Sequence, residues 1–478
     1  MKQIKRTRPK TGLLFIGAKR FRQLGEGTAD GTYEVRKKTE YKTYLDAFGK
    51  FTDTVSCGMC YDREDAERAI ELFTAEKVDC VCAIFMSWAE DFAWIRFLRE
   101  LPPMPLLFAS VVRDELFITD TNDENQFVEF LSAGALVGAQ EGSGSFRRFA
   151  RPMSDICIGT LDEVSAKLKI FSEAARVRTI LRRGNVSLLA CYNEAMWATY
   201  VDPYNMFMKI GPELHFLSIA QLMTEVDNTP DSLVDELVSS MTSRYRIMPN
   251  VDFEKLRASV RASYAMERIA LAADADLLVL NDIDTELFRN IGLRPGFIPT
   301  TPDLDLVTVP EGDLGGGLAT FILQMLAGVP ANFIEPFYID HKRGTFAGGH
   351  AGPNNYSACP ENVVIARDER FAKTAWKYAG APFAWYVFPE GTKTMLHMSE
   401  LNGRMKMICT LVDALPTKHY LASYSHADFK PHEDISPEEL FSRILPHGVT
   451  QHYGIVDGDW TPQLEALAKQ CDFEFARV

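Results

Sequence analysis

The feature that most constrains the fold is an alternation of buried strands with an amphipathic helix early in the chain. Residues 78–85 (VDCVCAIF) and 105–110 (PLLFAS) are short apolar runs typical of buried strands, and the helical pattern of residues 93–101 separates them. Strands joined through a helix pair in parallel, so this segment predicts a parallel sheet covered by helices. Ligands of such sheets bind beyond the carboxyl ends of the strands, which makes the loop at residues 86–88 a candidate ligand face.

Length and changes of pattern divide the chain into three expected domains. A chain of 478 residues exceeds what one hydrophobic core organises. A second α/β block begins near residues 186–191, and short β-rich runs with more Gly, Pro and aromatic residues follow residue 330. We expect α/β domains over residues 1–178 and 179–330, and an antiparallel β domain, a candidate barrel, over residues 331–478.

Charge and composition exclude several classes of partner. The chain carries 51 Lys and Arg against 65 Asp and Glu, a net charge of −14, so it repels phosphate backbones and anionic lipid. We therefore expect no nucleic-acid partner. We also expect no membrane partner, because the sequence contains no run of about 18 apolar residues. The nine cysteines are scattered and odd in number, which indicates reduced thiols in a cytoplasmic protein.

Two carboxylates and two histidines are the candidates for a metal centre. Glu311 precedes the Gly-rich helix start at residues 312–317, and Asp340 ends an aromatic strand-like run. His350 stands among small residues, and His452 precedes an apolar stretch. Taken singly, each of these residues also has an ordinary structural explanation. The carboxylates can cap a helix or lie on the surface, and the histidines can stabilise a turn or pack in the core. Together, oxygen and imidazole groups suit a divalent ion of the manganese type better than a thiolate-seeking zinc site.

These segments resemble the L-fucose/L-arabinose isomerase superfamily. The resemblance extends over most of the chain through short motifs: residues 85–94 (FMSWAEDFAW), 311–315 (EGDLG), 337–340 (FYID), 349–353 (GHAGP), 401–406 (LNGRMK) and 448–452 (GVTQH). It implies two Rossmann-like parallel-sheet domains plus a C-terminal antiparallel β-barrel domain. It also implies homo-oligomers, trimers or hexamers, with active sites at subunit contacts.

The resemblance also implies roles for individual residues. The bridging glutamate of the family falls on Glu311, its second acid on Asp340, and its C-terminal metal histidine on His452. His350 matches a further ligand of arabinose-type members, whereas an Asp as the second acid is fucose-like, so these two clues disagree. Glu335 is a rival for the second acid, because small gaps shift the match.

The implied activity is a manganese-dependent aldose–ketose isomerisation of an open-chain pentose or deoxyhexose through a cis-enediol. One acid removes the proton beside the carbonyl, and the other moves protons between the oxygens. Arg20, Trp88 and Tyr453 are candidate contacts to the sugar, as a cation for hydroxyls and as aromatic faces for C–H groups.

Two other classes of function compete with the isomerase. A non-catalytic protein that binds a sugar or effector is the main alternative, because two α/β lobes also form ligand clefts. A nicotinamide-dependent oxidoreductase is weaker, because residues 16–20 (IGAKR) follow the first strand without the G-x-G-x-x-G phosphate grip.

Overall fold

The computed structural model describes residues 8–120, 122–287, 297, 299–301, 304–370, 372–374 and 379–478, and these residues form two compact units. The first unit comprises the described residues within Thr7–Thr179 and Glu465–Asp472, and the second those within Ile180–Leu464 and Phe473–Val478. The division after Thr179 lies next to the boundary expected at residue 178. The boundary expected at residue 330 lies inside the second unit.

A parallel sheet with helices forms the first unit. Its strands are β1 Lys10–Ile16, β2 Asp53–Val55, β3 Met59–Cys60, β4 Cys80–Phe85, β5 Leu106–Val111 and β6 Ser154–Gly159. Its helices are α1 Tyr33–Phe48, α2 Arg63–Ala75, α3 Asp91–Glu100, α4 Glu124–Ser132, α5 Ala135–Phe149 and α6 Leu161–Leu181. The strand order is β2–β1–β4–β5–β6, with β3 also paired to β1, and every pairing is parallel. The predicted parallel sheet around residues 78–110 is therefore confirmed.

Both faces of this Rossmann-like sheet are buried. Along β1, Leu14 and Ile16 pack into one apolar cluster, and Leu13 and Phe15 pack into another. Because successive side chains of a strand point to opposite faces, the two clusters lie on opposite sides of the sheet. This explains why its central strands are continuous apolar runs in the sequence.

The second unit begins with another parallel sheet. Its first strands are β7 Asn185–Leu189, β8 Glu213–Leu217, β9 Arg246–Ile247, β10 Leu277–Leu280 and β11 Val307–Val309. Its helices are α7 Pro203–Asn205, α8 Ile219–Asn228, α9 Asp231–Arg244, α10 Phe253–Ala272 and α11 Leu314–Ala327. The sheet has the order β11–β10–β7–β8 with parallel pairing throughout, whereas β9 belongs to a separate small sheet. The α/β block expected to begin near residue 186 is confirmed.

The last part of the chain is dominated by antiparallel strands. These are β12 Asn332–Asp340, β13 Thr345–Gly349, β14 Val363–Arg367, β15 Pro382–Tyr386, β16 Gly391–Leu401, β17 Arg404–Ala414, β18 Ala427–Pro431, β19 Tyr453–Asp457 and β20 Glu474–Arg477. The helices among them are α12 Pro437–Ile444 and α13 Thr461–Cys471. The larger sheet has the order β16–β19–β12–β13–β18–β17–β20, and β16 also pairs with β17. The smaller sheet, β15–β14–β9, joins two of these strands to the preceding region.

Helix α11 connects the parallel sheet to the antiparallel one, and side chains from both sheets surround it. All its residues from Leu314 to Leu326 are buried. A Cβ on Gly315 would lie 2.2 Å from the carbonyl oxygen of Met398, and one on Gly316 would lie 2.5 Å from Cε2 of Phe333. The glycines at this helix start therefore permit close packing of α11 against strands β12 and β16. Among the described residues, no helix combines the length and apolar character needed to cross a membrane.

Candidate metal centre

Glu311, His350 and His452 form a buried cluster in the second unit. One potential ligand atom from each lies within 4.8 Å of the others. Oε1 of Glu311 is 3.7 Å from Nε2 of His350, and Oε2 is 3.3 Å from Nε2 of His452. The two histidine side chains are 1% and 0% exposed, and that of Glu311 is 16% exposed. One carboxylate thus presents a separate oxygen to each of two imidazole rings.

Strand β12 places the two histidines beside each other. His350 directly follows β13, and His452 directly precedes β19, and both of these strands pair with β12 in antiparallel register. The ring of Phe333, on β12, lies 5.0 Å from the His350 ring and 4.6 Å from the His452 ring, measured between centroids. Two residues that are far apart in sequence therefore meet because their strands flank one central strand.

The turn between β11 and α11 directs Glu311 toward the histidines. The backbone φ of Glu311 is 64°, in the left-handed region, where a non-glycine residue costs about 1–2 kcal/mol. Its N–H donates to Oδ1 of Asp282 at 2.8 Å, and its carbonyl accepts from Nδ2 of Asn193 at 2.7 Å. Asp282 and Asn193 are both buried. These two side chains hold the unusual turn and thereby fix the direction of the carboxylate.

Asp313 orients the ring of His452. Its Oδ2 accepts a hydrogen bond from Nδ1–H of His452 at 2.8 Å, while its Oδ1 accepts from the backbone N–H of Gly316 at 2.8 Å and caps α11. With Nδ1–H held by Asp313, the other ring nitrogen, Nε2, faces Glu311, which is the carboxylate–histidine arrangement found behind metal ligands. Burial lowers the pKa of His452, but the hydrogen bonds to Asp313 and Glu311 outweigh burial and raise it to about 9.

His350 is fixed in the same tautomer by backbone groups. Its Nδ1 lies 2.6 Å from the carbonyl oxygen of Ala351, which can only accept, so Nδ1 carries the proton. The backbone N–H of His350 donates to Oγ of Ser425 at 2.8 Å, and the N–H of Ser425 donates to the His350 carbonyl at 2.9 Å. Its Nε2 also faces the carboxylate, 3.7 Å from Oε1 of Glu311.

A third histidine, His397, supports the cluster without joining it. It is buried on β16, and its Nδ1–H donates to the carbonyl of His452 at 2.8 Å. The backbone N–H of Thr450 points to its Nε2 at 3.4 Å. Burial lowers the pKa of His397, which suits a neutral ring that both donates and accepts. Sequence analysis did not single out His397, because a histidine inside a strand pattern gives no local sign of a partner 55 residues away.

The structure does not bring Asp340 into the cluster, so its assignment as second acid is corrected. Asp340 is the last residue of β12 and pairs with Thr345 across the hairpin, where its Oδ1 accepts from the N–H of Arg343 at 3.1 Å. Glu335, five residues earlier, pairs with Gly349, the neighbour of His350. Since an extended strand advances about 3.3 Å per residue, Asp340 lies roughly 16 Å beyond that position.

Glu335, the rival that the sequence analysis named, lies closer to the histidines along β12 than Asp340 does. It follows Phe333 by two residues, and the irregularity of β12 begins only after Pro336. Side chains two apart on a strand share a face, so Glu335 lies on the face that carries Phe333 and the two histidines. The aromatic run at residues 337–340 correctly predicted a strand. It did not show that the first half of β12, and not its last residue, lies beside the histidines.

The predicted sugar contacts fall in both units. In the first unit, the Arg20 guanidinium lies 5.1 Å from the Trp88 ring centroid, and its Nε bonds to Oε1 of Glu90 at 2.8 Å. Arg20 borders a cavity of about 720 Å³ at the carboxyl ends of the parallel strands. In the second unit, Tyr453 is buried beside His397, with ring centroids 5.3 Å apart, and borders another cavity.

The donor set of the cluster fits a divalent cation. Two imidazole nitrogens and a carboxylate between them are ligands that manganese-type and similar ions accept. The Nε2 atom of His452 is buried and lies 3.3 Å from Oε2 of Glu311, so this nitrogen and the carboxylate are directed toward each other, as ligands of one cation are. A buried Glu/His/His group that can hold a metal is thus present in the second unit. Comparison with known proteins finds no family model and no curated protein that matches this chain.

Proposed function

We propose that this protein is a metal-dependent aldose–ketose isomerase that acts on an open-chain sugar. The observation that carries the proposal is the Glu311 carboxylate between two imidazole rings whose Nε2 atoms both face it. A second carboxylate, Glu335, lies on the same face of the sheet. Two acids beside one cation site are what a proton transfer between neighbouring carbons of a sugar requires.

Each residue of the site has a defined part in this reaction. A bound divalent ion would polarise the carbonyl and hydroxyl oxygens of the sugar. Glu311 and Glu335 are the acid–base pair: one carboxylate takes the proton from the carbon beside the carbonyl, and the other moves protons between the two oxygens. Asp313 keeps the proton on Nδ1 of His452. The carbonyl of Ala351 keeps the proton on Nδ1 of His350. The Nε2 atoms of His350 and His452 are then the nitrogens that would bind the ion.

Manganese is the proposed ion, because the ligands are oxygen and imidazole nitrogen. Thiolates, which favour zinc, belong to none of the three ligand residues. The substrate follows from the family resemblance, which implies an open-chain pentose or deoxyhexose and a cytoplasmic enzyme.

Further features that the resemblance implies belong to the same proposal. Strand β16 pairs with both β19 and β17, and this ring of pairings supports a closed β-barrel. We also propose a homo-oligomer, a trimer or hexamer, in which Arg20 and Trp88 contact the sugar. Light scattering tests this assembly: a purely monomeric protein at micromolar concentration would contradict it.

Deuterium exchange provides the direct test of the activity. The manganese-loaded protein is incubated in deuterated water with pentoses and 6-deoxyhexoses, and NMR follows exchange at C1 and C2. The proposal expects exchange and formation of the ketose for at least one sugar, and no exchange or conversion across the panel would reject it.

Matched variants assign the two acids. Glu311→Gln and Glu335→Gln should each lower kcat at least about a hundredfold, the scale of general acid–base catalysis. Asp340→Asn is the control, because its carboxylate lies in the turn after β12, where it accepts a hydrogen bond from the N–H of Arg343. Full activity in Glu335→Gln together with loss of activity in Asp340→Asn would return the role to Asp340.

The second candidate is a sugar-binding protein without turnover. It is favoured if the chain binds a sugar in the presence of manganese but never exchanges deuterium. In that case Glu311→Gln should change manganese affinity only, because the carboxylate would have no proton to move.

A further inference from the structure

Five large apolar side chains are exposed between β7 and the end of β8 in the second unit. Trp197 is 74% exposed and Tyr204 is 75% exposed, and Phe207, Met208 and Phe216 each have more than half of their area exposed. We call these five residues the aromatic surface. Burying large apolar side chains is favourable, so a group of them exposed so close together in the chain is a candidate contact for a partner.

Three of these side chains share one side of a short helical segment. The segment begins with α7 and continues as a π-helical turn, Met206–Ile210. Tyr204, Phe207 and Met208 are three and four residues apart, which is the spacing of neighbours on one side of a helix. The first and last residues of the π-helical turn are buried. The segment therefore packs one apolar side against the protein and presents another outward, whereas a surface helix normally presents polar residues outward.

Contacts connect this segment to the edge strand β8 and to a neighbouring cavity. The ring of Tyr192 lies 4.7 Å from that of Tyr200 and 6.0 Å from that of Phe216, measured between centroids. The π-helical turn also contacts β8, which ends the parallel sheet. Trp197 lines a cavity of about 530 Å³ together with Leu445, which is 63% exposed. The exposed residues therefore belong to one connected region of the second unit.

Hydrogen bonds hold the aromatic surface in place. The carboxylate of Glu400, near the end of β16, accepts from the N–H of Asp202 and from Nδ2–H of Asn205, each at 2.6 Å. Oδ1 of Asp202 accepts from the N–H of Asn205 at 2.8 Å. The Nε1–H of Trp197 donates to the carbonyl of Glu194 at 2.7 Å. A surface that is fixed before binding loses little conformational entropy when a partner covers it, which favours docking.

The size and composition of the aromatic surface match a contact between proteins. Its five residues expose on the order of 600 Å², as much as the largest apolar patch of a typical monomer. Two such surfaces in contact would bury about 1,200 Å², which reaches the range of stable, specific interfaces. Tryptophan, tyrosine, phenylalanine and methionine are also the residues that are enriched in such interfaces.

The charges beside the aromatic surface favour a second copy of the chain over a membrane. The exposed charged residues next to it in the sequence have both signs: Glu194, Asp202, Lys209 and Glu213. This excess of acids, and the net charge of −14, repel the anionic lipids that lysine and arginine attract to membrane-binding surfaces. A twofold contact, in contrast, brings the same margin together twice, so Lys209 of each copy can face an acid of the other.

We infer that a second copy of this chain docks on the aromatic surface through the same surface of its own, about a twofold axis. Each copy then covers the exposed aromatic side chains of the other. The inference rests on the proposed function only where it selects between the two proposed assemblies. A hexamer built from two trimers contains such twofold contacts, whereas a single trimer does not, so the inference selects the hexamer.

Sedimentation velocity of the full-length chain tests this contact. Phe207→Lys places a charge in the aromatic surface and should raise the dissociation constant of the twofold contact at least about thirtyfold, the scale of a hot-spot residue. At micromolar concentration the mass of the particle should then fall to half that of the wild type. Phe253→Lys is the matched control, because Phe253 is 54% exposed in the same unit but lies on α10, outside the aromatic surface.

A second measurement uses the wild-type chain and does not depend on how a variant folds. The protein is labelled with 5-fluorotryptophan, and ¹⁹F NMR compares its spectra in H₂O and in D₂O, because only a fluorine in contact with water changes its chemical shift. Trp197→Phe and Trp94→Phe identify the two resonances that matter. Trp94 is fully buried and defines a protected fluorine. Trp197 in the wild type should be about as protected as Trp94, although it is exposed in the single chain.

The outcomes are distinct. A halved mass in Phe207→Lys, an unchanged mass in Phe253→Lys and a protected Trp197 support the inference. Wild-type mass in Phe207→Lys, an equal loss of mass in both variants, or a Trp197 open to water in the wild type overturns it. Phosphatidylcholine–phosphatidylserine vesicles test the other occupant: if they bind the wild type but not Phe207→Lys, and the mass is the same in both, the surface belongs to a membrane and the inference is wrong.

Deuterium exchange separates this inference from the proposed function. A wild type that exchanges deuterium into a sugar while Trp197 is open to water keeps the isomerase and overturns the twofold contact. A protein that shows the twofold contact but exchanges no deuterium keeps the contact and rejects the isomerase.

Discussion

Replacing Asp313 by Asn tests whether this residue controls the metal affinity of His452. The two oxygens of Asp313 have separate partners, Nδ1 of His452 and the N–H of Gly316, each at 2.8 Å. Asn has one carbonyl oxygen and one NH₂ group, so it can accept only one of these two bonds. If its oxygen caps α11, its NH₂ group faces Nδ1 of His452 and moves the imidazole proton to Nε2.

The expected loss follows from that change of tautomer. With the proton on Nε2, His452 has no lone pair for the ion, and loss of such an orienting partner typically costs 10- to 100-fold in metal affinity, about 1.4–2.7 kcal/mol. If instead the Asn oxygen keeps His452, the helix loses its cap, which costs about 1 kcal/mol of stability. The two arrangements are therefore distinguishable by measuring both quantities.

Manganese titration followed by electron paramagnetic resonance measures the affinity, and urea denaturation of the metal-free protein measures the stability. Asp252→Asn is the control, because Asp252 caps α10 without contacting a histidine. The reasoning predicts weaker manganese binding in Asp313→Asn and unchanged binding in Asp252→Asn. Wild-type affinity in Asp313→Asn, or equal losses in both variants, would refute it.

Three further predictions concern pH and packing. Burial raises the pKa of Glu267 to about 8, although hydrogen bonds from Thr300 lower it, so the folded protein keeps a proton that the unfolded chain loses above about pH 4.5. Stability from this group is therefore complete below pH 4.5 and falls as the pH rises toward 8. Glu267→Gln should remove this decrease in stability and raise the free energy of unfolding at pH 7.5 by on the order of 3 kcal/mol. Urea denaturation at pH 5 and pH 7.5 checks this. If the free energy of unfolding changes between these two pH values as much in the variant as in the wild type, the prediction is wrong. The pKa of His452 is raised to about 9, so below pH 9 the ring carries a proton that a cation must displace. The apparent affinity for manganese should therefore rise about tenfold per pH unit from pH 7 to 9. Calorimetry in two buffers should detect the released proton. Gly316→Ala should destabilise the protein by about 1–3 kcal/mol and weaken manganese binding, because the new Cβ would lie 2.5 Å from Cε2 of Phe333 and 3.2 Å from Cβ of His452. Thermal denaturation measures the loss of stability. The control is Gly144→Ala, whose new Cβ has no heavy atom within 4 Å.

Periodicity was sufficient to predict the sheets of this protein. Buried parallel strands are continuous apolar runs, as in β4 and β5, because helices cover both faces of the sheet. The antiparallel strands after residue 330 appeared as short β-rich runs for the same local reason. The division into units was harder to predict from the sequence. Residues 465–472 belong to the first unit, although they lie between strands β19 and β20 of the second unit in the sequence.

The site was only partly accessible to sequence analysis. Motifs indicated Glu311, His350 and His452, but nothing in their spacing shows that β13 and β19 flank β12. That pairing shows which acid lies nearer to the histidines: Glu335 pairs with Gly349, the neighbour of His350, whereas Asp340 pairs with Thr345 at the turn. The second role of Asp313 was equally hidden, since a helix cap looks the same in sequence whether or not its other oxygen meets a histidine.

Because three separated segments supply the candidate ligands, a cation bound there would also be a cross-link of the folded chain. Its ligands come from the start of α11 and from the strand ends next to β13 and β19, so the intact set exists only once these distant stretches have assembled. An ion that binds only the folded form stabilises it by about 2.7 kcal/mol at a free concentration one hundred times its dissociation constant. Supply of the proposed manganese ion would then set how long this protein survives proteolysis, in addition to the rate of the proposed reaction.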